Sequence, residues 1–353
     1  MSYVTALVRS YRLPLTAAGF GPVREGLLLR LSTPRGGAVG WGEAAPLPGF
    51  SRETLDEARR SLESLGFQAQ SVPFDAESPL EWAVGLSEEA PSSVRFAVES
   101  AAANLAASIT GVTTAEVLAH AAGTRPRSEC DLAALLAGDP RDWPARLDEA
   151  IDGGYGTVKL KVGRVDLSDE IAALGALPAR LRPGVVLRFD ANRAWSLDDA
   201  LRFADAARDL PVEFVEEPLA DPSDLEEFAR RSGLPMALDE TIHSGPAFRP
   251  ADWPFVIAWV LKPTLVGGIV RSLGLAATAA AQGVRTVISS SYETGVGLRH
   301  LVSLACALPG VPTAAGLDTA RALGADVTEP RFDTGTPSAF HGRDWAVRPE
   351  VAA

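Results

Sequence analysis

The sequence predicts an α/β protein: a run of parallel strands alternating with helices, preceded by a smaller α+β region. Three observations point there. Short apolar runs rich in Val, Ile, Leu and Phe recur at the spacing of βα units, roughly every 20–30 residues. They are TVKLKV (157–162), VVLRFDAN (185–192), VEFVEEPL (212–219), PMALDE (235–240), FVIAWVLKP (255–263) and VRTVISSS (284–291). Amphipathic stretches lie between them, such as SLDDALRFADAARDL (196–210) and DLEEFARRSG (224–233). The runs are apolar on both faces, as parallel strands covered by helices must be. This pattern fits a barrel or a doubly wound open sheet equally. No G-x-G-x-x-G follows a strand, which counts against a dinucleotide-binding fold.

The N-terminal region reads differently. YVTALVRSYRL (3–13) and GLLLRLSTPRGGAVGWGE (26–43) suggest antiparallel strands, with TPRGG as a turn between two of them. ETLDEARRSLESLG (53–66) is an amphipathic helix with a glycine stop. PSSVRFAVESAAANLAASITG (91–111) is a strong helix, opened by Pro and Ser, Ala-rich in the middle and closed by Gly111. TRPRSE (124–129) marks a boundary.

Composition excludes several function classes. A chain of 353 residues with 46% hydrophobic content can bury a large core. Its formal net charge of −12 argues against binding nucleic acid or anionic membranes. Cys130 and Cys306, the only two cysteines, make neither a disulfide framework nor a thiolate metal site and fit a reducing cytoplasm. The first residues lack a signal-peptide apolar core. The most apolar stretch (253–270) is interrupted by Lys262 and Pro263 and reads as a buried strand and turn. Four scattered histidines disfavour a zinc site.

The chemistry sits at the strand ends. Asp190 and Asn192, Glu216 and Glu217, Asp239 and Glu240, and Lys262 each terminate an apolar run. A barrel gathers its C-terminal strand ends into one mouth. Three carboxylates, Asp190, Glu216 and Asp239, without cysteine or histidine suit a hard divalent cation such as Mg²⁺, with Mn²⁺ the alternative. Without a cation they would repel and raise their own pKa values. Lys159 and Lys161 share a strand face because side chains alternate. If that face is the interior, both ammonium groups enter the mouth and Lys262 arrives from the far side. Lysines flanking a cation suit removal of a proton beside a carboxylate, the cation stabilising the enediolate. A single strand-end aspartate is commonly a helix N-cap, and a K-L-K lysine commonly a snorkelling edge residue. The order Lys, Asp, Glu, Asp, Lys on successive strands is what favours chemistry. Glu217 and Glu240 directly follow the proposed ligands and are expected to support them from behind.

KLK, FDAN, VEEP, LDE and LKP, in that order, resemble the enolase superfamily, in its muconate-lactonizing-enzyme branch. The resemblance implies a (β/α)7β modified TIM barrel with an N-terminal α+β capping domain completed by the C-terminal tail. The implied domains are residues 1–125, 126–320 and 321–353, with Phe340 and Trp345 packing the tail back on the cap. It implies Asp190, Glu216 and Asp239 as metal ligands, Lys161 as acid/base, Lys262 on the opposite face and Lys159 as an assisting residue. GWGEAAPLPGFSRETLDEA (40–58), SSSYETGVG (289–297) and AAGLDT (314–319) resemble stretches of the o-succinylbenzoate synthase family within that group. That family dehydrates 2-succinyl-6-hydroxy-2,4-cyclohexadiene-1-carboxylate in menaquinone biosynthesis. The expected substrate partner is thus a small carboxylate. Ser289, Ser290 and the Gly316 backbone become candidates for its succinyl carboxylate. Arg188 is a candidate for orienting Lys161, Phe20, Leu47 and Phe50 for a lid, and Glu293 and Asp318 for loop hydrogen bonding. N-succinylamino acid racemisation needs the same lysines and stands as the alternative. Dipeptide epimerisation lacks its D-x-D pattern here, and a non-catalytic binding barrel would have lost a ligand or a lysine. Monomer and homo-oligomer both stay open.

Overall fold

A computed structural model describes residues 4–17, 19–33, 37–67, 78–244, 253–333, 336–342, 345–348 and 350. The N-terminal part opens with three antiparallel strands, β1 (Thr5–Pro14), β2 (Val23–Ser32) and β3 (Val39–Ala44), in the order β1-β2-β3. The centre of the expected TPRGG turn, 34–36, lies outside the described residues. Four helices follow: α1 (Leu55–Ser64), α2 (Ser78–Ser87), α3 (Ser92–Thr110) and α4 (Thr114–Ala121). Thr54 and Glu57 form a capping box on α1, which fixes where it starts. Gly111, at φ 73°, ends α3 in the left-handed conformation that glycine adopts without strain.

The sheet and α3 come unusually close, for a reason written in both segments. Gly40 and Gly42 point one face of β3 at a helix whose facing residues are Ala97, Ser100 and Ala101. A Cβ on Gly42 would run into the Ala97 carbonyl, and one on Gly40 into the Ala101 carbonyl. Neither obstacle is a flexible side-chain tip. Gly42→Ala should therefore cost about 2 kcal/mol of stability through overpacking, read as a lowered melting temperature; an unchanged melting temperature would refute this packing. Leu27, Leu29 and Leu31 of β2 join Ala97, Ala101 and Leu105 in this core, while Leu28 faces the other way.

From β4 (Glu129–Asp131) the chain builds one seven-stranded parallel sheet. Its strands are β5 (Ala134–Leu136), β6 (Thr157–Lys161), β7 (Val186–Asp190), β8 (Val212–Glu216), β9 (Met236–Leu238), β10 (Val256–Leu261) and β11 (Arg285–Ile288), adjacent in sequence order. Helices α5 (Trp143–Asp152), α6 (Leu167–Leu174), α7 (Leu197–Ala206), α8 (Leu225–Ser232), α9 (Glu240–Ser244), α10 (Pro263–Val266), α11 (Ile269–Ala281) and α12 (Gly295–Ala307) follow the strands. The ring closes through Ala315 and Gly316, which make parallel bridges to Leu132 and Ser289 respectively. This is a barrel, not the open sheet that the alternation alone also allowed. Phe214, Ala237, Ala258, Val260 and Val287 fill its interior. Both cysteines are free thiols in the larger core outside it.

The tail divides. Trp345 and Val347 pack with Tyr11, Leu28 and Trp41 against the strands of the N-terminal part. Phe340 instead lies in a short strand paired with β4 and is 44% exposed, so the expectation that it packs on the cap is corrected. Among the described residues no helix is long and apolar enough to cross a membrane.

His300 of α12 is buried where barrel and cap meet, its Nε2 donating to the Trp41 carbonyl at 2.7 Å. Burial lowers its pKa from 6.5 to about 4. The unfolded imidazole takes up its proton near pH 6.5 and the folded one only near 4. Between those values the unfolded state holds more protons, so stability falls as pH falls. His300 alone should remove about 3 kcal/mol across that window. His300→Gln should flatten that part of the pH dependence of thermal unfolding; an identical profile in the variant would contradict this.

Candidate active site

Strand register sets the mouth. Lys161, Asp190 and Glu216 are neighbours across β6, β7 and β8. Asp239 follows β9 directly and Lys262 follows β10. Counting β5 as first of eight, Lys161 stands on the second strand and Lys262 after the sixth, on opposite sides of the ring. Asp190, Glu216 and Asp239 are at most 1% exposed. The interior is thus apolar lower down and charged at the rim.

The lysines and carboxylates are interleaved. Lys159 Nζ donates to both oxygens of Glu216 (3.0 and 2.8 Å) and lies 2.7 Å from Asp190. Lys161 Nζ donates to Asp190 Oδ2 at 2.5 Å and to Asn192 Oδ1 at 2.9 Å. Lys262 Nζ donates to Asp239 Oδ2. The Lys161 side chain is 20% exposed, against 11% for Lys159 and 10% for Lys262, so it is the lysine most open to an incoming molecule.

Burial is the largest influence on every one of these groups. It lowers the Lys161 ammonium; Asp190 opposes the shift, and Lys159 and Lys262 add to it. For Lys159 burial is outweighed by Asp190 and Glu216, and for Lys262 chiefly by Asp239, so both are held above the ordinary lysine value. Burial likewise opposes ionisation of Asp190, but Lys159 and Lys161 outweigh it and hold that carboxyl well below the usual range. Burial and then Asp190 push Glu216 up to about 8. Asp190 is therefore the firmly charged member of that pair. Lys161 is the one lysine of the three whose pKa moves toward neutrality, the direction a base requires.

The residues behind the rim are tied together. Glu217 accepts from the Asp239 amide (2.9 Å), the Thr241 amide (2.7 Å) and Arg193 Nε (3.0 Å), locking the ends of β8 and β9. Asn192 Nδ2 donates to Glu240 Oε1 at 2.9 Å, and Arg164 donates to Asn192 at 2.8 Å. Asn192, Arg193 and Glu217 all have positive φ (44°, 61° and 40°), a strained backbone of the kind concentrated at functional sites. Arg164, Arg193 and Thr241 were not evident from the sequence because each follows a strand end that already offers a stronger acidic or basic candidate. His243 was also missed; its Nε2 lies 3.4 Å from Asp239 Oδ1, a contact longer than a good hydrogen bond.

Arg188 does not behave as expected. It shares the interior face with Asp190 but stands level with Lys159, one layer below Lys161. Its Nε donates to Glu213 (2.7 Å) and its Nη1 to the Ala314 carbonyl (2.7 Å), with its guanidinium 4.9 Å from the Phe214 ring centre. It braces the barrel interior and does not orient Lys161. Ser289 and Ser290 both donate to the Gly316 carbonyl (3.2 and 3.1 Å), so the three candidates are together at the junction of the seventh and eighth strands. Glu293 and Asp318 hold loops: Glu293 accepts from Thr264 and the Ser291 amide, Asp318 from the Leu135 amide and Arg321. Phe50 reaches over the mouth, its ring centre 5.9 Å from Lys262 Nζ, and Phe20 lies between Phe50 (5.7 Å) and Tyr292 (5.0 Å). Leu47 is buried within its own loop turn, where its carbonyl accepts from the Phe50 and Ser51 amides.

Asp190, Glu216 and Asp239 form an all-oxygen donor set that fits a hard divalent cation. Asp239 Oδ1 is buried and accepts no well-formed hydrogen bond, its neighbour being His243 Nε2 at 3.4 Å, which leaves it open to a cation. Among the described residues no three such groups close on one point; ammonium groups fill the spaces between the carboxylates and supply the balancing charge.

Comparisons with known proteins agree with this geometry. Residues 142–337 match the family model described as enolase C-terminal domain-like, and residues 11–105 match that of the MenC N-terminal domain. The chain is 34% identical over 318 residues to the o-succinylbenzoate synthase of Yersinia pestis (strain Pestoides F), covering 89% of this chain and 88% of that one. In fold it is similar to the dipeptide epimerase from Enterococcus faecalis V583 complexed with Mg and dipeptide L-Leu-L-Tyr (TM-score 0.82, 21% identity, 96% of each chain). It is also similar to the N-succinyl Arg/Lys racemase from Bacillus cereus ATCC 14579 (TM-score 0.81, 17% identity, 99% of this chain and 96% of that one). The chain belongs to the enolase superfamily, and within it to the family of the o-succinylbenzoate synthases.

Proposed function

We propose that the protein dehydrates 2-succinyl-6-hydroxy-2,4-cyclohexadiene-1-carboxylate to o-succinylbenzoate, a step of menaquinone biosynthesis, as a carbon–oxygen lyase. The observation that carries the reading is Lys161, the most open lysine at a rim of three buried carboxylates, with Lys262 across the ring. The similarity to o-succinylbenzoate synthases over most of the chain supports this substrate.

Asp190, Glu216 and Asp239 would hold the cation, for which Mg²⁺ is the first choice, since similar folds carry it, and Mn²⁺ the second. When bound, the cation supplies positive charge to the carboxylate oxygens on which the enediolate's charge builds. Lys161 Nζ removes the ring proton alpha to the carboxylate. The same ammonium then returns its proton to the departing hydroxyl, so one carbon–hydrogen and one carbon–oxygen bond break on one face, and water leaves with the ring aromatic. Lys262 remains protonated opposite and stabilises the developing negative charge. Lys159 holds Asp190 and Glu216 in place. Phe20 and Phe50 exclude water from above. Ser289 and Ser290 would receive the succinyl arm by turning their hydroxyls to it from the Gly316 carbonyl; the Gly316 amide already donates to Ile288 and takes no part.

A second reading follows from the opposed placement of Lys161 and Lys262: two-base racemisation of an N-succinyl amino acid. Parallel assays of the wild type on both substrate classes decide between them. The dehydratase reading expects kcat/KM for dehydration to exceed that for any N-succinyl amino acid. Racemisation without dehydration would keep the site and overturn the assigned reaction.

A further inference from the structure

Arg24, on β2, is 2% exposed and lies far in sequence from every charged residue of the mouth. Its guanidinium is spent on main-chain carbonyls. Nη1 donates to Pro46 (2.8 Å) and Glu25 (3.2 Å), Nε to Tyr292 (3.0 Å), and Nη2 to Ser291 (3.1 Å) and Ala45. Ala45 and Pro46 open the loop that carries Phe50. Ser291 and Tyr292 belong to the loop that leaves the seventh barrel strand. One planar group therefore ties the roof contributed by the N-terminal part to the wall contributed by the barrel. The Tyr292 backbone that it holds sits at φ 61°, a conformation a tyrosine adopts only when its surroundings impose it. Phe20 touches both loops, through Phe50 and Tyr292.

The residue type matters. Five donors fixed in a plane reach four carbonyls on two separate loops and a fifth, that of Glu25, on the strand itself; a lysine offers three donors from one point. A buried charge is costly unless hydrogen-bonded throughout, so the loops cannot drift from Arg24 without exposing that cost. We infer that Arg24 is a positioning residue that couples the 45–51 loop to the 289–294 loop and so sets the seat for the non-reacting half of the substrate. It touches no reacting atom. The identity of that substrate rests on the dehydratase reading above.

Two experiments test the coupling. Hydrogen exchange on the wild-type protein should show residues 45–51 and 289–294 opening together, as one unit; openings of clearly different free energy would overturn the inference, whatever the substrate is. In steady-state dehydration, Arg24→Lys should raise KM about tenfold, the equivalent of one or two net hydrogen bonds, with kcat changed less than about threefold. Arg24→Gln should raise KM further. An unchanged KM, or a melting-temperature drop with uniformly faster exchange and equal loss in kcat, would reduce Arg24 to a structural residue. If neither variant folds, the wild-type exchange result decides alone. If the wild type shows no dehydration, the functional reading fails and the exchange result still judges the coupling.

Discussion

Lys161→Ala should lower kcat for dehydration by roughly 10³-fold, within the range by which a positioned acid/base accelerates proton transfer. The geometry explains why this lysine carries so much. Lys159 is spent on two carboxylates and Lys262 on Asp239, whereas Lys161 is the most open of the three and has its pKa lowered by burial and by its lysine neighbours. Because Lys161 acts on a bond that breaks in the transition state, kcat and kcat/KM should fall together while KM moves little. The variant should still bind Mg²⁺, since Asp190, Glu216 and Asp239 all remain. Retention of more than a tenth of the wild-type kcat would remove Lys161 from the base role.

Asp190→Asn and Asp239→Asn should abolish both Mg²⁺ binding and turnover. The loss should exceed the roughly 10–100-fold in metal affinity that follows removal of a supporting outer partner. Each substitution removes a negative charge that also neutralises buried lysines: Lys159 and Lys161 at Asp190, Lys262 at Asp239. Uncompensated buried charge destabilises, so melting temperatures must be read beside the calorimetric titration. Glu217→Gln is the informative contrast. It leaves the three carboxylates intact but weakens the lock between β8 and β9, so it should weaken Mg²⁺ binding and not abolish it. Unaltered Mg²⁺ affinity in Asp190→Asn would show that the cation sits elsewhere.

The rim was legible in the sequence because each charged residue ends an apolar run, and parity along a strand tells which residues share a face. Parity does not give depth. Arg188 shares its face with Asp190, but two residues of strand place it about 6.6 Å lower, where Glu213 and the Ala314 carbonyl claim its donors. The first barrel strand, Ala134–Leu136, went unread because three residues carry no periodicity. The eighth position was visible only through the resemblance of AAGLDT, since Ala315 and Gly316 contribute single bridges. The coupling of roof to wall was out of reach. Arg24 and Glu43 meet the segment from Ser291 to the first turn of α12 across more than 250 residues, and nothing local in either segment announces the partner.

The most direct measurement is to strip the protein with a chelator and supply the hydroxycyclohexadiene substrate with and without added Mg²⁺, following the aromatic product. The account predicts o-succinylbenzoate and water only when the cation is restored. Substrate left unchanged by wild-type protein saturated with Mg²⁺ or Mn²⁺ would contradict it.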